Sequence, residues 1–171
     1  MGEPAPMLAP APAPAAAAAP VPPNDAPACW HLSLRFLPDA LRSGLDPLAF
    51  LRYLSNLGQI HALHLMHAEV PALDALDAEA CHLWVELRFE SERTRAEIEA
   101  VFEFAQEDSD VQLLPPGSAA ADFETLAERR CGLDAEKRAL LFDIWRDMGV
   151  RFEKAALEKL RKALDKASKR R

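Results

Sequence analysis

The sequences WHLSLRF at residues 30–36 and LWVELRF at residues 83–89 decide the fold of this chain. In each heptapeptide every second position is apolar and most positions between them are polar, which is the period of a β-strand with one buried face. The apolar sets are Trp30, Leu32, Leu34 and Phe36 in the first and Leu83, Val85, Leu87 and Phe89 in the second. We therefore expect two half-buried strands that line one hydrophobic core.

A helix is predicted soon after the first of these strands. Asp46 precedes Pro47 in the order typical of an N-cap and the first helical position, where the missing N–H of proline costs nothing. Bulky side chains then share one face, and Gly58 provides a left-handed stop. That face comprises Phe50, Leu51, Tyr53, Leu54 and Leu57.

Shorter patterns predict three further elements. The apolar run IHALHLM at residues 60–66 predicts a strand, and residues 111–114 predict another before the stop at Pro115-Pro116-Gly117. Residues 91–95 lead into an amphipathic helix between the strands at 83–89 and 111–114. The apolar face of this helix comprises Ile98, Val101, Phe102 and Ala105.

The resulting order is strand, helix, strand, strand, helix, strand. Two such βαβ-like halves normally fold as a four-stranded antiparallel sheet with both helices on one face, since right-handed crossovers place each helix on the same side. The sequence thus predicts an α+β protein with a ferredoxin-like split βαβ sandwich. We expect its first and third strands at the centre of the sheet and its second and fourth at the edges.

The sequence divides into three segments. Residues 1–28 contain 9 prolines and 11 alanines, a composition typical of a disordered, extended linker. Residues 29–116 form the predicted sandwich domain. Residues 117–171 form a helical extension with helices predicted at 123–130, 134–148 and 152–167, ending in a basic tail.

Charge and cysteine content limit the class of protein. Residues 30–116 hold 15 acidic and 6 basic residues, a net charge of −9, whereas residues 151–171 hold 3 acidic and 9 basic residues, a net charge of +6. The three cysteines, Cys29, Cys81 and Cys131, are far apart and form no CxxC pair, which argues against a disulfide framework and a zinc site. With no signal sequence and no run of roughly 20 apolar residues, a soluble cytoplasmic protein is expected.

The sequence offers little for catalysis or cofactor binding. His61, His64 and His67 are spaced like helical metal ligands, but in a strand His64 points away from the other two. No histidine has the neighbours of a phosphotransfer site, no glycine-rich phosphate loop is present, and the acidic residues near Glu107 suit a solvated surface. We expect no metal, no cofactor and no catalytic residue.

Two aromatic residues are candidates for partner binding. Trp84 lies on the second sheet face, where it could stack a nucleic-acid base, but an acidic domain repels phosphates. It could instead be buried under the C-terminal helices by Leu140, Leu141, Ile144 and Trp145, or be a lone exposed tryptophan or the contact of an external partner. Phe104 falls beside the exposed side of the second helix, next to Glu97, and is either a binding residue or a cover for the edge of the core.

Three segments together resemble a bacterial signalling module. They are PDALRSGLDPLAFLRYLSNLG at residues 38–58, VPALDALDAEACHLW at 70–84 and VFEFAQED at 101–108. The chain is similar over residues 30–115 to the second domain of the chemotaxis histidine kinase CheA. That module is typically held on flexible linkers, as the Pro/Ala-rich segment here would provide.

The resemblance implies a docking domain for response regulators of the CheY or CheB type, which would be held at high local concentration near a phosphohistidine. In this family the docking surface uses the second helix, the end of the first helix and the adjoining sheet edge. Matching these positions implies a partner-binding set made of Asn56, Gln59, Glu97, Glu103 and Phe104.

The chain departs from the CheA family at both ends. It has no phosphotransfer motif before the module and no dimerisation helices or ATP-binding boxes after it. We therefore expect a non-catalytic adaptor for phosphorelay signalling, which would require a separate kinase subunit. The alternatives are a piece of a CheA kinase and a scaffold protein that binds partners through its C-terminal amphipathic helix.

Overall fold

The computed structural model describes residues 28–170, so nearly all of the linker predicted at residues 1–28 lies outside the described residues. The described chain is an α+β protein with one four-stranded antiparallel sheet and five α-helices. In chain order the elements are β1 (Trp30–Phe36), α1 (Pro47–Leu57), β2 (Gln59–Met66), β3 (Trp84–Glu90), α2 (Arg95–Ala100), β4 (Ser109–Leu114), α3 (Ala120–Cys131), α4 (Ala135–Asp147) and α5 (Lys154–Ser168).

The sheet has the strand order β2-β3-β1-β4, which confirms that the first and third strands are central and the second and fourth are edges. β1 pairs with β3 in a register that places Leu32 opposite Leu87, and with β4 in a register that places Leu32 opposite Leu113. All three leucines are buried, so the core runs across the middle of the sheet.

The start of α1 is as predicted, but its end is not. The Asp46 side chain accepts a hydrogen bond from the Leu48 N–H at 3.0 Å, which is the expected N-cap. Gly58 has φ 176°, so it is extended and the predicted left-handed stop is wrong. A Cβ added to Gly58 would lie 2.1 Å from the Glu90 carbonyl oxygen, so glycine is required because two backbone segments meet there.

The second helix is shorter than predicted. α2 ends at Ala100, and a 3-10 turn at Glu103–Ala105 replaces the expected continuation. Leu54 of α1, Ile98 of α2 and Phe102, which follows α2, pack against the Leu32 and Leu34 side of the sheet in one cluster. Both helices therefore contribute to the first hydrophobic core.

The C-terminal helices build a second core on the other side of the sheet. Met66 and Trp84 from the strands pack there with Phe123, Phe142 and Trp145 from α3 and α4. The prediction of half-buried strands is therefore wrong for β1 and β3, whose remaining side chains are also largely buried. The periodicity of the sequence did not reveal this second buried face, because most residues of β1 and β3 on that face are polar.

The face predicted for α4 is correct except at one position. Leu141, Ile144, Trp145 and Met148 are buried, and Asp134 caps the helix by accepting hydrogen bonds from the N–H groups of Glu136 and Lys137. Leu140 remains 51% exposed and takes no part in covering Trp84. Its neighbour Leu141 is fully buried in the second core.

Candidate docking surface

Phe104 lies on the 3-10 turn after α2 and is 91% exposed. Two buried neighbours hold the turn in place, since Phe102 packs in the first core, Ala105 is fully buried, and the Ala105 N–H donates to the Phe102 carbonyl at 2.9 Å. Phe102 also stacks on Phe50 with a centroid distance of 5.6 Å. Because both anchors face inward, the ring between them faces solvent and does not cover the core.

The prediction that placed Phe104 outward assumed a continuous α-helix, and that assumption is wrong. The actual turn has different geometry but gives the same outcome, because it keeps Phe102 and Ala105 buried. Glu103, Gln106 and Glu107 are the exposed residues that surround Phe104 in sequence. The result is a solvated aromatic ring set among acidic and polar side chains, a composition typical of binding hot spots.

Glu97 has a structural task that the sequence prediction did not identify. Its carboxylate accepts a hydrogen bond from the Thr94 N–H at 2.7 Å, and the Thr94 hydroxyl oxygen accepts one from the Glu97 N–H at 3.3 Å. This capping box begins α2. The hydrogen bonds from Thr94 and the nearby Arg93 hold the pKa of the Glu97 carboxyl below its usual range.

Asn56 and Gln59 lie near the start of α2, at the end of the helix that is opposite Phe104. Gln59 pairs with Glu90 at the end of β3, and the Ser91 hydroxyl donates to the Leu57 carbonyl at 2.7 Å, so the end of α1 is fixed beside the lead-in to α2. Both side chains are exposed.

The five predicted residues are therefore all exposed but do not form one cluster around Phe104. Asn56, Gln59 and Glu97 lie toward the start of α2, whereas Glu103 and Phe104 follow its end. Glu97 within α2 and Glu103 after it are six residues apart in sequence, which corresponds to about 9 Å along a helix axis. A partner that contacts all five must lie along the length of α2.

The second sheet face carries a buried polar cluster around Glu86, which the sequence analysis did not identify. The Glu86 carboxylate is fully buried and accepts four hydrogen bonds, two at each oxygen. The donors are His31 Nε2 (2.6 Å), Ser33 Oγ (2.6 Å), Trp84 Nε1 (2.8 Å) and Trp145 Nε1 (3.0 Å). β1, β3 and α4 are thus joined through one side chain.

Arg130 extends this cluster from α3 to the sheet. Its guanidinium donates to the Ser33 hydroxyl, the Ser33 carbonyl, the Asp110 carbonyl and the Asp110 carboxylate, each at 2.8 Å. Burial lowers the pKa of Arg130, and the charges of Asp110 and Glu86 oppose that effect. His31 and Ser33 of β1 and Glu86 of β3 are polar positions on one sheet face, and this alternation was visible in the sequence. Arg130, however, lies 97 residues after Ser33.

Burial also acts on Glu86. Desolvation alone would raise the pKa of this carboxyl, but the hydrogen bonds from His31, Ser33 and Trp145 outweigh it and lower the pKa below its ordinary value. The carboxylate is enclosed by protein and makes all its contacts with other side chains. It stabilises the packing of helices on the sheet.

Trp84 is buried, and its indole N–H is used within this cluster. The tryptophan therefore has no face free to stack a nucleic-acid base, and the second sheet face is covered by α3 and α4. Of the alternatives left open by the sequence, burial under the C-terminal helices is confirmed. Base stacking on this face is excluded.

The remaining residues with chemical potential are dispersed. Within residues 28–170, no group of three or more His, Cys, Asp and Glu side chains is arranged to hold a metal ion. His61 pairs with Glu90 at 2.6 Å, and His67 lies just beyond the end of β2. Across this same range, no helix is both long and apolar enough to cross a bilayer.

No family model, curated protein or solved structure matches the chain.

Proposed function

We propose that this chain is a cytoplasmic adaptor whose sheet and first two helices form a ferredoxin-like docking domain for a CheY- or CheB-type response regulator. The observation that carries the proposal is the exposed ring of Phe104 on its acidic turn. The resemblance of residues 30–115 to the second domain of CheA indicates the class of partner. No catalytic group is assigned to the chain.

The topology supports the ferredoxin-like part of the proposal. The order β2-β3-β1-β4 with antiparallel pairing is the strand order of a split βαβ sandwich. Leu54 of α1 and Ile98 of α2 belong to the same core cluster as Leu32, which is the packing expected when both helices cover one sheet face. The three C-terminal helices on the other face are an addition to this two-layer plan.

The surface around Phe104 suits a transient contact. One large aromatic side chain surrounded by Glu103 and Glu107 offers an apolar anchor with a charged rim. Docking of this kind raises the local concentration of a receiver without catalysing any reaction. We expect a dissociation constant on the order of micromolar, as is typical of signalling contacts of modest area.

The test is a titration of the chain into a fluorescently labelled CheY-type receiver. We expect saturable one-to-one binding in the micromolar range. An unrelated acidic protein of similar size, titrated in the same buffer, controls for nonspecific attraction. A signal that fails to saturate, or that equals the control, contradicts the proposal.

A second candidate function rests on α5. None of its residues is buried, and its exposed side carries basic residues such as Lys154, Arg161 and Lys162, while Leu157 and Leu160 are partly covered. A basic helix of this kind favours a scaffold role with an anionic partner. Removing residues 153–171 would abolish such binding and leave receiver binding unchanged, which separates the two functions.

A further inference from the structure

β2 is an edge strand with one side unpaired. Its neighbour in the sheet is β3, and the order of strands leaves the other side of β2 facing outward. At eight residues it is the longest strand of the described sheet. Every second backbone N–H and C=O along it is therefore directed away from the sheet, in the arrangement that pairs readily with another strand.

The two edges of the sheet differ in protection. β4 carries Asp110, is followed at once by Pro115 and is bridged by α3 through hydrogen bonds from Arg129 and Arg130. β2 has the sequence QIHALHLM, which contains no proline and no acidic, lysine or arginine residue. Charges and prolines are two of the devices that keep an edge strand from pairing, and β2 has neither. Its pairing with β3 has a register irregularity between Ile60 and Ala62, so residues 62–66 form the regular part of this edge.

β2 also presents apolar side chains at its edge. Leu63 and Leu65 lie opposite Leu87 and Val85 of β3, on the face that forms the first core. The two β3 residues are buried, whereas Leu63 is 48% and Leu65 is 47% exposed. The apolar face of the sheet therefore continues to the edge and stops there half-covered.

We propose that two copies of this chain associate by antiparallel pairing of β2 with β2, centred on His64, to form one continuous eight-stranded sheet. In this register Leu63 lies opposite Leu65 of the other copy, and Leu65 opposite Leu63. Ala62 lies opposite Met66 on the second face. The inference rests on residues 62–66 of β2, whereas Glu97, Glu103 and Phe104 of the proposed receiver surface lie on α2 and the turn after it. Gln59, at the start of β2, is the residue that the two surfaces share.

The occupant is a second copy because the strand is complementary to itself. Rotation about a twofold axis at His64 exchanges leucine with leucine on one face and apolar residues with each other on the second face. A register shifted by one residue would place the leucine face of one copy on the same side as the second face of the other copy. The alternation of side chains along the strand therefore limits the registers in which the two copies can pair. No like charges meet across this pairing, because β2 holds no residue with a fixed charge.

The net charge of −7 opposes association at long range. Because salt screens repulsion between separated charges but leaves apolar contacts in place, we expect dimerisation to strengthen as ionic strength rises. Sedimentation equilibrium at about 50 mM and about 300 mM salt measures this effect. The Debye screening length differs about twofold between these two conditions.

The main test is the mass of the full chain across a range of concentration. The wild type should shift from the monomer mass of 18.9 kDa to twice that value as concentration rises. Leu65→Lys should raise the dimer dissociation constant at least tenfold, because it places a charge at the centre of each leucine pair. Leu73→Lys, at an 88% exposed leucine in the connection between β2 and β3, should leave the constant unchanged.

Cross-linking tests the register even if Leu65→Lys proves unstable. In His64→Cys the two new thiols would lie on directly opposed residues, whose Cα atoms are about 4.5–5.5 Å apart, within the range that a disulfide spans. Mild oxidation should give a covalent dimer of His64→Cys and none of the wild type, which retains Cys29, Cys81 and Cys131. A wild type that stays monomeric at all concentrations, or a His64→Cys chain that does not cross-link, overturns the proposal.

Discussion

At the scale of single residues, Glu86 holds the second core together. Its two carboxylate oxygens accept hydrogen bonds from β1, β3 and α4, and no water-exposed surface remains on the side chain. A buried carboxylate is stable only when such donors replace water. The residue therefore decides whether the C-terminal helices can rest on the sheet.

Glu86→Gln should lower the free energy of unfolding by about 3 kcal/mol, because the amide nitrogen would face two donors and leave them unpaired in the interior. Urea unfolding at pH 7 measures the change. Glu90→Gln, on the same strand and face but paired with His61 near solvent, is the matched control and should change stability by less than about 0.5 kcal/mol. Equal effects of the two substitutions would contradict the role assigned to Glu86.

The lowered pKa of Glu86 also predicts a pH dependence. The folded-state pKa of Glu86 lies below the unfolded value of about 4.3. The ionised carboxylate therefore contributes its full stability at pH values above about 4.3 and loses that contribution as pH falls toward and through the folded-state pKa. The stability gap between wild type and Glu86→Gln should therefore narrow between pH 5 and roughly pH 3. Urea unfolding across that range tests it, and a constant gap would count against ionised Glu86.

At the scale of elements, the sequence predicted the sheet better than its covering. Asp46, Pro47 and the alternation in residues 30–36 encode local geometry, so α1 and β1 were predictable. The end of α2 was not, because Phe102 and Ala105 can be buried whether the backbone is helical or turned. The role predicted for Gly58, a left-handed helix stop, was wrong. Glycine is needed there because the Glu90 carbonyl leaves no room for a side chain, and Glu90 is distant in sequence.

The covering of the second sheet face leads to a prediction about α3 and α4. A chain ending at Pro116 would lose Phe123, Arg130 and Trp145. Their loss would expose Trp84 and Glu86 to solvent and remove the hydrogen bond that Trp145 donates to Glu86. We expect such a chain to lose its cooperative thermal transition and to bind a hydrophobic dye.

A chain ending at Phe152 is the control for this truncation. It lacks α5, which has no buried residues, but keeps α3, α4 and the ring of Phe152 that packs on Phe123 at 5.1 Å. We expect it to unfold cooperatively with a modestly lower midpoint in a scan followed by circular dichroism. If the chain ending at Pro116 unfolds as sharply as the chain ending at Phe152, the second core is not required.

At the scale of the whole molecule, the sheet has two covered faces and two different edges. The first core belongs to the predicted sandwich, and the second joins residues 117–171 to it through Met66, Trp84 and the Glu86 cluster. The proposed division at residue 116 therefore runs through a shared core. The sequence indicated only part of this contact, through the expected burial of Trp84, because His31, Ser33 and Glu86 are residues that normally indicate a solvated face.

The candidate docking surface was predictable where it depends on residues close in sequence, and not where it depends on contacts between distant segments. Exposure of Phe104 follows from its position between the buried residues Phe102 and Ala105, which face inward both in an α-helix and in the observed 3-10 turn. The task of Glu97 in the capping box depends on Thr94, three residues earlier, and was visible in the sequence but not recognised. The separation of Asn56 and Gln59 from Phe104 required the register of β2 against β3.

The measurement that tests the central claim most directly is the affinity of Phe104→Ala for a CheY-type receiver, compared with that of Leu133→Ala. Both side chains are almost fully exposed, at 91% and 95%, but Leu133 lies between α3 and α4. We predict that Phe104→Ala weakens binding by about 1–2 kcal/mol with an unchanged thermal midpoint, while Leu133→Ala binds as the wild type does. Equal affinity of all three chains, or binding by none, would contradict the account.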